Sequence, residues 1–173
     1  LLAVTFTNKA AGEMRDRLEQ LLGYSVGGMW VGTFHGLAHK FLRLHATEAG
    51  LPANFQILDS DDQLRLVKRV IRELNLDDTR WPAKQAQWFI NARKDEGERP
   101  RDIHGDDHFL RTLLQVYAAY EDACARAGLV DFAELLLRAL EVLQKHEHLR
   151  LHYRTRIRHL LVDEFQDTNA VQY

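Results

Sequence analysis

Two adjacent carboxylates, Asp163 and Glu164, directly follow an apolar run near the end of this 173-residue chain. We interpret the run from Ile157 to Val162 as a buried strand, and the carboxyl ends of parallel strands are where open α/β sheets bind ligands. Neighbouring strand residues face opposite sides, so the two acids cannot share one task. One could hold Mg²⁺ on a nucleotide, and the other could activate a water for phosphoryl transfer. For the pair alone, a solvated turn after a strand is the alternative.

A second group of candidates follows the first apolar run of the chain. Phe6 ends that run, and Thr7, Asn8 and Lys9 begin a predicted helix. The N–H groups at a helix start can bind a phosphate, and an aromatic ring beside them can stack on a base of a single strand. The alternative is that Phe6 belongs to the core and that Lys9 is simply solvated. Thr33 and His35, after the second predicted strand, follow the same logic.

Other conspicuous side chains favour structural roles. His35 and His39 have the i, i+4 spacing of a helical metal site, but no further ligand is evident, so we predict no metal there. A basic stretch without acidic residues between its members could contact phosphates, although a solvated face is the simpler interpretation; it comprises Arg150, Arg154, Arg156 and Arg158. Trp81 and Trp88 are predicted to lie in a helical core. Asp167 and Thr168 are predicted to cap the next helix.

Composition narrows the class of protein. The chain is 46% hydrophobic and 28% charged with a net charge of -2, so any nucleic-acid binding must use a few specifically positioned groups and not a strongly basic surface. No apolar run approaches the roughly 20 residues that span a bilayer, so we expect no membrane association. The one cysteine, Cys124, cannot form an internal disulfide, which suits the cytoplasm. Both ends lie within predicted elements, so we expect an internal piece of a longer chain.

The order of predicted elements is α/β, then helical, then α/β. A strand over residues 1–6, a helix capped by Thr7 or Asn8 and ended by Gly23, and a strand from Met29 to Phe34 come first. From residue 59 the apolar spacing is helical, beginning at a capping box of Ser60 and Gln63 and interrupted by a polar stretch over residues 94–107. We predict a parallel-sheet domain with an inserted helical domain.

Several sequence strings together resemble the motifs of one family. The string from Asp163 to Asn169 is similar to motif II, the Walker B box, of the superfamily 1A DNA helicases of the UvrD, PcrA and Rep group. The strings 3–11 and 32–38 resemble motif Ia and the box that follows it, in the same order. Two more matching strings, 59–63 and 128–135, extend the resemblance over essentially the whole chain.

The resemblance implies a RecA-like P-loop NTPase fold: residues 1–34 as part of domain 1A, residues 35–156 as a mostly helical inserted domain 1B, and residues 157–173 as the return to domain 1A. It implies ATP and Mg²⁺ as cofactors, with Asp163 as the metal ligand and Glu164 as the general base. It also implies 3′-to-5′ movement on single-stranded DNA with unwinding at a duplex junction. Phe6, Thr7, Asn8, Lys9, Thr33 and His35 would contact the DNA. DNA repair proteins would be partners, in the bacterial cytoplasm and nucleoid.

One motif of such enzymes is absent from the sequence. No G-x-x-x-x-G-K-[ST] loop occurs, and in the family it would precede residue 1. We therefore expect the isolated chain not to hydrolyse ATP. Two alternatives stay open: a non-catalytic DNA-binding module with the same fold, and the motor part of a helicase-nuclease subunit.

Overall fold

The computed structural model describes residues 1–173. Its strands are β1 (Leu2–Thr5), β2 (Trp30–Thr33), β3 (Gln56–Ile57), β4 (Leu129–Val130) and β5 (Leu160–Val162). Its helices are α1 (Asn8–Leu22), α2 (Phe34–Leu44), α3 (Ser60–Glu73), α4 (Ala83–Asp95), α5 (His108–Ala127), α6 (Phe132–Lys145) and α7 (Glu147–Arg156). Two 3₁₀ turns cover Pro100–Asp102 and Phe165–Asp167. None of the helices has the length and apolar character needed to cross a membrane.

The main sheet joins the two ends of the chain. Its strand order is β2-β1-β5, and both pairings are parallel. The mixed helix and parallel-sheet architecture predicted from the sequence is confirmed. Because all three strands run in the same direction, their carboxyl ends meet at one edge of the sheet.

The first strand and helix form as their sequence predicts. Ala3, Val4 and Thr5 of β1 are buried, and Thr7 accepts the Ala10 N–H at 3.2 Å as the N-cap of α1. Gly23 ends the helix at φ 72°, the left-handed conformation that glycine adopts without a Cβ penalty. Leu21 is exposed although it is apolar, because α1 packs through a narrow strip around Ala11.

Strand β5 is shorter and more exposed than predicted. It begins at Leu160 and not at Ile157, and Leu160 is 60% exposed. The prediction of a buried strand from apolar composition was wrong for this chain, because β5 pairs only with β1 and is an edge strand of the sheet.

The helical part contains two apolar cores. The first joins α3, α4 and α5 around Val67, Ile90 and Tyr117. The second joins α2, α6 and α7 around Leu42 and Leu135, and Trp30 and Val171 from the sheet side pack against it. The second core therefore connects the helices to β2 and to the segment that follows β5.

The segment after residue 59 is not purely helical. Strands β3 and β4 form a small parallel pair, with Gln56 opposite Leu129 and Ile57 opposite Val130. Strand β4 was not predicted, because its short apolar run lies between two segments with strong helical periodicity. The polar stretch predicted over residues 94–107 also contains the end of α4 and a 3₁₀ turn.

Two local predictions in the helices were wrong. Asp59, not Ser60, caps α3 by accepting the Asp62 N–H at 2.8 Å, and Gln63 is buried among polar partners instead of completing a capping box. Trp81 lies in the core as predicted, but Trp88 is 71% exposed. A spacing of seven residues does not by itself put both side chains in the core, since α4 packs through Ala86 and Ile90.

Candidate functional site

The three carboxyl strand ends are level with one another. Thr5 of β1 lies opposite Thr33 of β2, and the Asp163 N–H donates to the Val4 carbonyl at 3.0 Å. With neighbouring strands about 4.8 Å apart, Asp163 lies roughly 10 Å from Thr33, with β1 between them. The edge therefore carries acidic residues at one side, Phe6 in the middle and Thr33 at the other side.

Asp163 and Glu164 are both exposed at the end of β5, and neither forms an ion pair. Glu164 has φ 53° and ψ 44°, a left-handed conformation that costs a residue with a Cβ about 1–2 kcal/mol. The Glu164 carbonyl accepts the Asp167 N–H at 2.9 Å, closing the turn that follows. Glu164 thus holds, directly after Asp163, a backbone conformation that a solvated loop does not require.

The donor set at this strand end fits Mg²⁺. Magnesium prefers oxygen ligands and is usually bound by one or two carboxylates together with substrate phosphates. Two exposed carboxylates without cationic partners meet that requirement. No group of three or more His, Cys, Asp or Glu side chains is arranged to hold a metal anywhere in the chain, this strand end included.

An aromatic pair covers the middle of the edge. The rings of Phe6 and Phe34 lie 5.3 Å apart between centroids at an angle of 56°, and both side chains are half-buried. Phe34 packs against the second helical core, whereas Phe6 contacts neither core. Phe34 follows β2 as Phe6 follows β1, so the parallel register brings together two rings of which the sequence singled out only Phe6.

Thr7 and Thr33 act as N-caps of the two helices that start at the edge. Thr33 accepts the Gly36 N–H at 3.1 Å, as Thr7 does for Ala10. A hydroxyl that accepts a backbone N–H keeps its own O–H to donate to a ligand. Asn8 and Lys9 are exposed in the first turn of α1, where N–H groups lack intrahelical acceptors.

His35 lies beside a residue that the sequence analysis missed. Its ring meets Phe132 edge-on at 5.9 Å, and Phe132 is 50% exposed at the start of α6. Burial lowers the pKa of His35, so its ring is neutral at pH 7. His39 instead accepts a hydrogen bond from the Arg43 Nε at 3.0 Å.

A groove opens between α1 and α2 at the β2 side of the edge. Its volume is about 590 Å³, and it is lined by the predicted residues Asn8 and Thr33 together with Arg15 and Lys40. Arg15 and Lys40 were not predicted, because helical periodicity alone does not say which exposed cations share a groove.

The turn after Glu164 differs from its prediction. Asp167 and Thr168 do not cap a helix: Asp167 ends a 3₁₀ turn, and Thr168 follows it and donates its hydroxyl to the Phe165 carbonyl at 2.8 Å. The following N–H of Val171 donates to the Asp95 carbonyl at 3.3 Å, which joins this segment to the end of α4.

A buried ionic cluster lies within the helical part, and the sequence did not reveal it. Lys94 Nζ lies 2.7 Å from Asp131 Oδ2 and 2.9 Å from Glu134 Oε2, with all three side chains almost fully buried. Arg99 bonds Glu134 with both of its terminal nitrogens, at 2.8 and 2.9 Å. The Tyr120 hydroxyl donates to Asp131 Oδ2 at 2.7 Å.

Electrostatics within this cluster favour the charged forms. Burial alone would raise the pKa of Glu134, but Lys94, Arg99 and Arg138 hold it well below its usual range. Burial alone would lower the pKa of Lys94, but Asp131 and Glu134 raise it above its usual value. Asp131 also caps α6, accepting the Glu134 N–H at 2.7 Å. Because its charges are neutralised internally, this cluster is a structural element.

Fold and edge together define a parallel-sheet α/β protein with carboxylates at one strand end and aromatic and hydroxyl side chains at its neighbours. Residues 1–173 match the family model described as the UvrD/REP helicase N-terminal domain, and the chain belongs to this family. The resemblance predicted from the motif strings is thereby confirmed.

Curated relatives agree over the full length of the chain. It is 60% identical to DNA helicase II of Escherichia coli, 52% to DNA helicase II of Haemophilus influenzae and 32% to the ATP-dependent DNA helicase PcrA of Bacillus subtilis. Each match covers the whole of this chain and 24% of the length of the relative. The chain therefore spans about a quarter of the length of these helicases.

Proposed function

We propose that this chain contributes the magnesium-binding, water-activating and part of the single-strand-binding surfaces of an ATP-dependent DNA helicase that moves 3′ to 5′ in DNA repair and replication. The observation that carries the proposal is the level edge of the β2-β1-β5 sheet. It puts Asp163, Phe6 and Thr33 at three adjacent parallel strand ends. The relatives named as ATP-dependent DNA helicases supply the substrate and the nucleotide.

In this proposal the two carboxylates divide the chemistry. When bound, Mg²⁺ neutralises charge on the ATP phosphates. The Asp163 carboxylate is one of its ligands, held at the strand end by the hydrogen bond from its N–H to Val4. The Glu164 carboxylate accepts a proton from the attacking water. Its strained backbone conformation turns the side chain away from the course of the strand.

The rest of the edge binds the nucleic acid. Phe6 presents a ring for a base, Thr7 and Thr33 offer hydroxyl donors, and Asn8 and Lys9 offer backbone and cationic groups to phosphates. His35 is neutral, so it contacts the strand as a hydrogen-bonding and stacking group and not as a cation. Phe6 lies on the strand next to Asp163, which puts the two proposed sites side by side.

The proposal includes the domain division inferred from the motifs. Residues 1–34 and 157–173 belong to the motor domain, and residues 35–156 form a mostly helical insertion that meets the duplex junction. Repair proteins in the bacterial cytoplasm are the proposed partners. The second core, which packs Trp30 and Val171 against α2, α6 and α7, supports a firm connection between the insertion and the sheet.

The chain by itself is proposed to be inactive, because it has no phosphate-cradling G-x-x-x-x-G-K-[ST] loop. A DNA-binding module without turnover and a helicase-nuclease motor are the alternatives. ATP hydrolysis by the full-length protein separates the first from a helicase, and nuclease activity in the same protein identifies the second.

The test compares Glu164→Gln with Asp163→Asn in a full-length helicase that contains this chain. Glu164→Gln keeps the shape but cannot take the proton, so single-turnover ATP hydrolysis falls about 10²–10⁴-fold while nucleotide affinity survives. Asp163→Asn weakens Mg²⁺-dependent nucleotide binding as well.

Asp167→Asn is the matched control, because Asp167 is an exposed acid in the same turn. It leaves both measurements near wild type. Normal hydrolysis in Glu164→Gln would refute the assignment of the general base.

A further inference from the structure

The groove between α1 and α2 begins at the proposed DNA-binding residues and continues beyond them. Asn8 and Thr33 line it near the starts of the two helices. Arg15 is seven residues after Asn8, and Lys40 is seven residues after Thr33. At a rise of 1.5 Å per residue, each cation lies roughly 10 Å further along its helix.

The walls of the groove leave room for a backbone. Gly12 lines it at an open position, where a Cβ would meet nothing within 4 Å. Gly32 and Gly36 also line it, but a Cβ there would meet Leu37 at 3.3 Å and Thr33 at 3.0 Å. Glycine at an open position permits close approach of another chain. The lining also includes Met29, just before β2, and Val31 within it, so the groove extends along β2 away from the carboxyl edge.

The charges in the groove are unbalanced. Arg15 and Lys40 form no ion pair with any acid, and Arg15 uses one terminal nitrogen, Nη2, to donate to the Val31 carbonyl at 3.1 Å. Lys40 Nζ lies 4.7 Å from the centre of the Trp30 ring. Glu19 is the one carboxylate in the lining, and it is occupied by the Ser25 hydroxyl and the Val26 N–H, each at 3.0 Å.

We propose that Arg15 and Lys40 bind the sugar-phosphate backbone of the single strand where it leaves the aromatic edge, so that the α1–α2 groove is a second phosphate-binding segment of the DNA path. This inference rests on the proposed function, because it extends the same strand. The Arg15 hydrogen bond to Val31 fixes the guanidinium plane, and the remaining N–H groups of its fork suit phosphate oxygens. Lys40 faces it from the other helix as a point charge.

The measurement is binding of the full-length protein to a fluorescent oligo(dT) strand by anisotropy, at salt concentrations from 0.05 to 1 M and without ATP. The variants are Arg15→Ala, Lys40→Ala and the double variant. Each lost phosphate contact reduces the slope of log affinity against log salt by about 0.7 for a single strand. If affinities converge at 1 M salt, each single variant binds roughly eightfold more weakly at 0.05 M.

Matched controls exist for both cations. Arg17 is an exposed arginine on α1 that does not line the groove, and Lys68 is an exposed lysine on α3 remote from it in sequence. Neither forms an ion pair. Arg17→Ala and Lys68→Ala therefore change only the net charge of the protein. Their slopes of log affinity against log salt stay close to the wild-type slope.

A parallel Phe6→Ala arm distinguishes two kinds of failure. If Phe6→Ala weakens binding while the groove variants match their controls, the groove does not hold the strand and the inference is overturned, although the proposed function stands. If Phe6→Ala also leaves binding unchanged, the proposed DNA edge itself fails. If the groove variants lower the melting temperature without changing DNA affinity, the groove binds a segment of protein instead, which also overturns the inference.

Discussion

Lysine, aspartate and glutamate serve opposite purposes in two regions of this molecule. At the carboxyl edge of the sheet, Lys9, Asp163 and Glu164 are exposed and form no ion pair. Between α4 and α6, Lys94 and Glu134 are buried and almost completely paired. Charges that stay unpaired in water are available to a ligand, whereas charges neutralised inside a core are available only to the fold.

The difference matters for assigning function from perturbed ionisation. The largest pKa shifts in the chain occur in the buried cluster, on Tyr120, Arg99, Lys94 and Glu134, and not at the edge. Perturbed pKa values often mark active sites, but structural ion pairs produce them too. Here accessibility and position at a strand end identify the chemistry better than the size of a pKa shift.

The largest expected effect comes from breaking the buried cluster. Lys94→Met leaves Asp131 and Glu134 without their shared cation, and removing one partner of a buried ion pair costs about 3–5 kcal/mol. Amide hydrogen exchange in the full-length protein, followed on peptides from α4 and α6, should accelerate strongly. Lys84→Met, an exposed substitution on the same helix, is the matched control and should exchange like wild type.

Wild-type protection of α4 and α6 in Lys94→Met would contradict the structural role of the cluster. The affinity of Lys94→Met for single-stranded DNA should be measured as well. If the cluster only stabilises the fold, that affinity falls no more than the loss of folded protein explains.

The sequence predicted the edge better than it predicted the cluster, for a physical reason. Thr7 and Gly23 were found because capping is a local signal within a few residues. Strand identity followed from apolar runs, and the shared edge followed from the parallel sheet. Lys94 and Arg99 were missed because they stand in a polar stretch, and their burial depends on partners up to 42 residues away.

Packing also decided what the sequence pattern left open. Trp88 and Leu160 are apolar by type but exposed, because burial depends on which elements pack against each face. Phe34 and Phe132 join the proposed DNA edge only because parallel pairing and the start of α6 bring them beside Phe6 and His35. Local sequence signals carry no information about such neighbours.

An intermediate effect is expected at the aromatic edge. Stacking of a base on an aromatic ring contributes roughly 1–3 kcal/mol, so Phe6→Ala in the full-length protein should weaken single-strand binding by about one to two powers of ten. ATP hydrolysis without DNA should change little, because Asp163 and Glu164 lie on the adjacent strand.

The competing explanation for Phe6 is packing against Phe34. A fully buried Phe would cost about 3–5 kcal/mol of stability on truncation, but Phe6 is half-buried and outside both helical cores. Phe6→Leu keeps most of the apolar volume and removes the ring. A melting curve that drops for Phe6→Ala, together with unchanged DNA affinity for both variants, would reduce Phe6 to a packing residue.

The smallest expected effect belongs to Lys9. Its side chain is exposed in the first turn of α1 and pairs with no acid, so it can contribute at most one phosphate contact. Lys9→Ala should therefore flatten the salt dependence of oligo(dT) binding by about 0.7 or less, with melting temperature unchanged. Lys68→Ala, which removes an exposed lysine from α3, should leave the slope as it is. Equal slopes for Lys9→Ala and wild type would mean that the backbone N–H groups of α1 and the Thr7 hydroxyl hold the phosphate without this cation. A change in slope well above the value for one phosphate contact would show that Lys9 also orders neighbouring phosphate-binding groups at the edge.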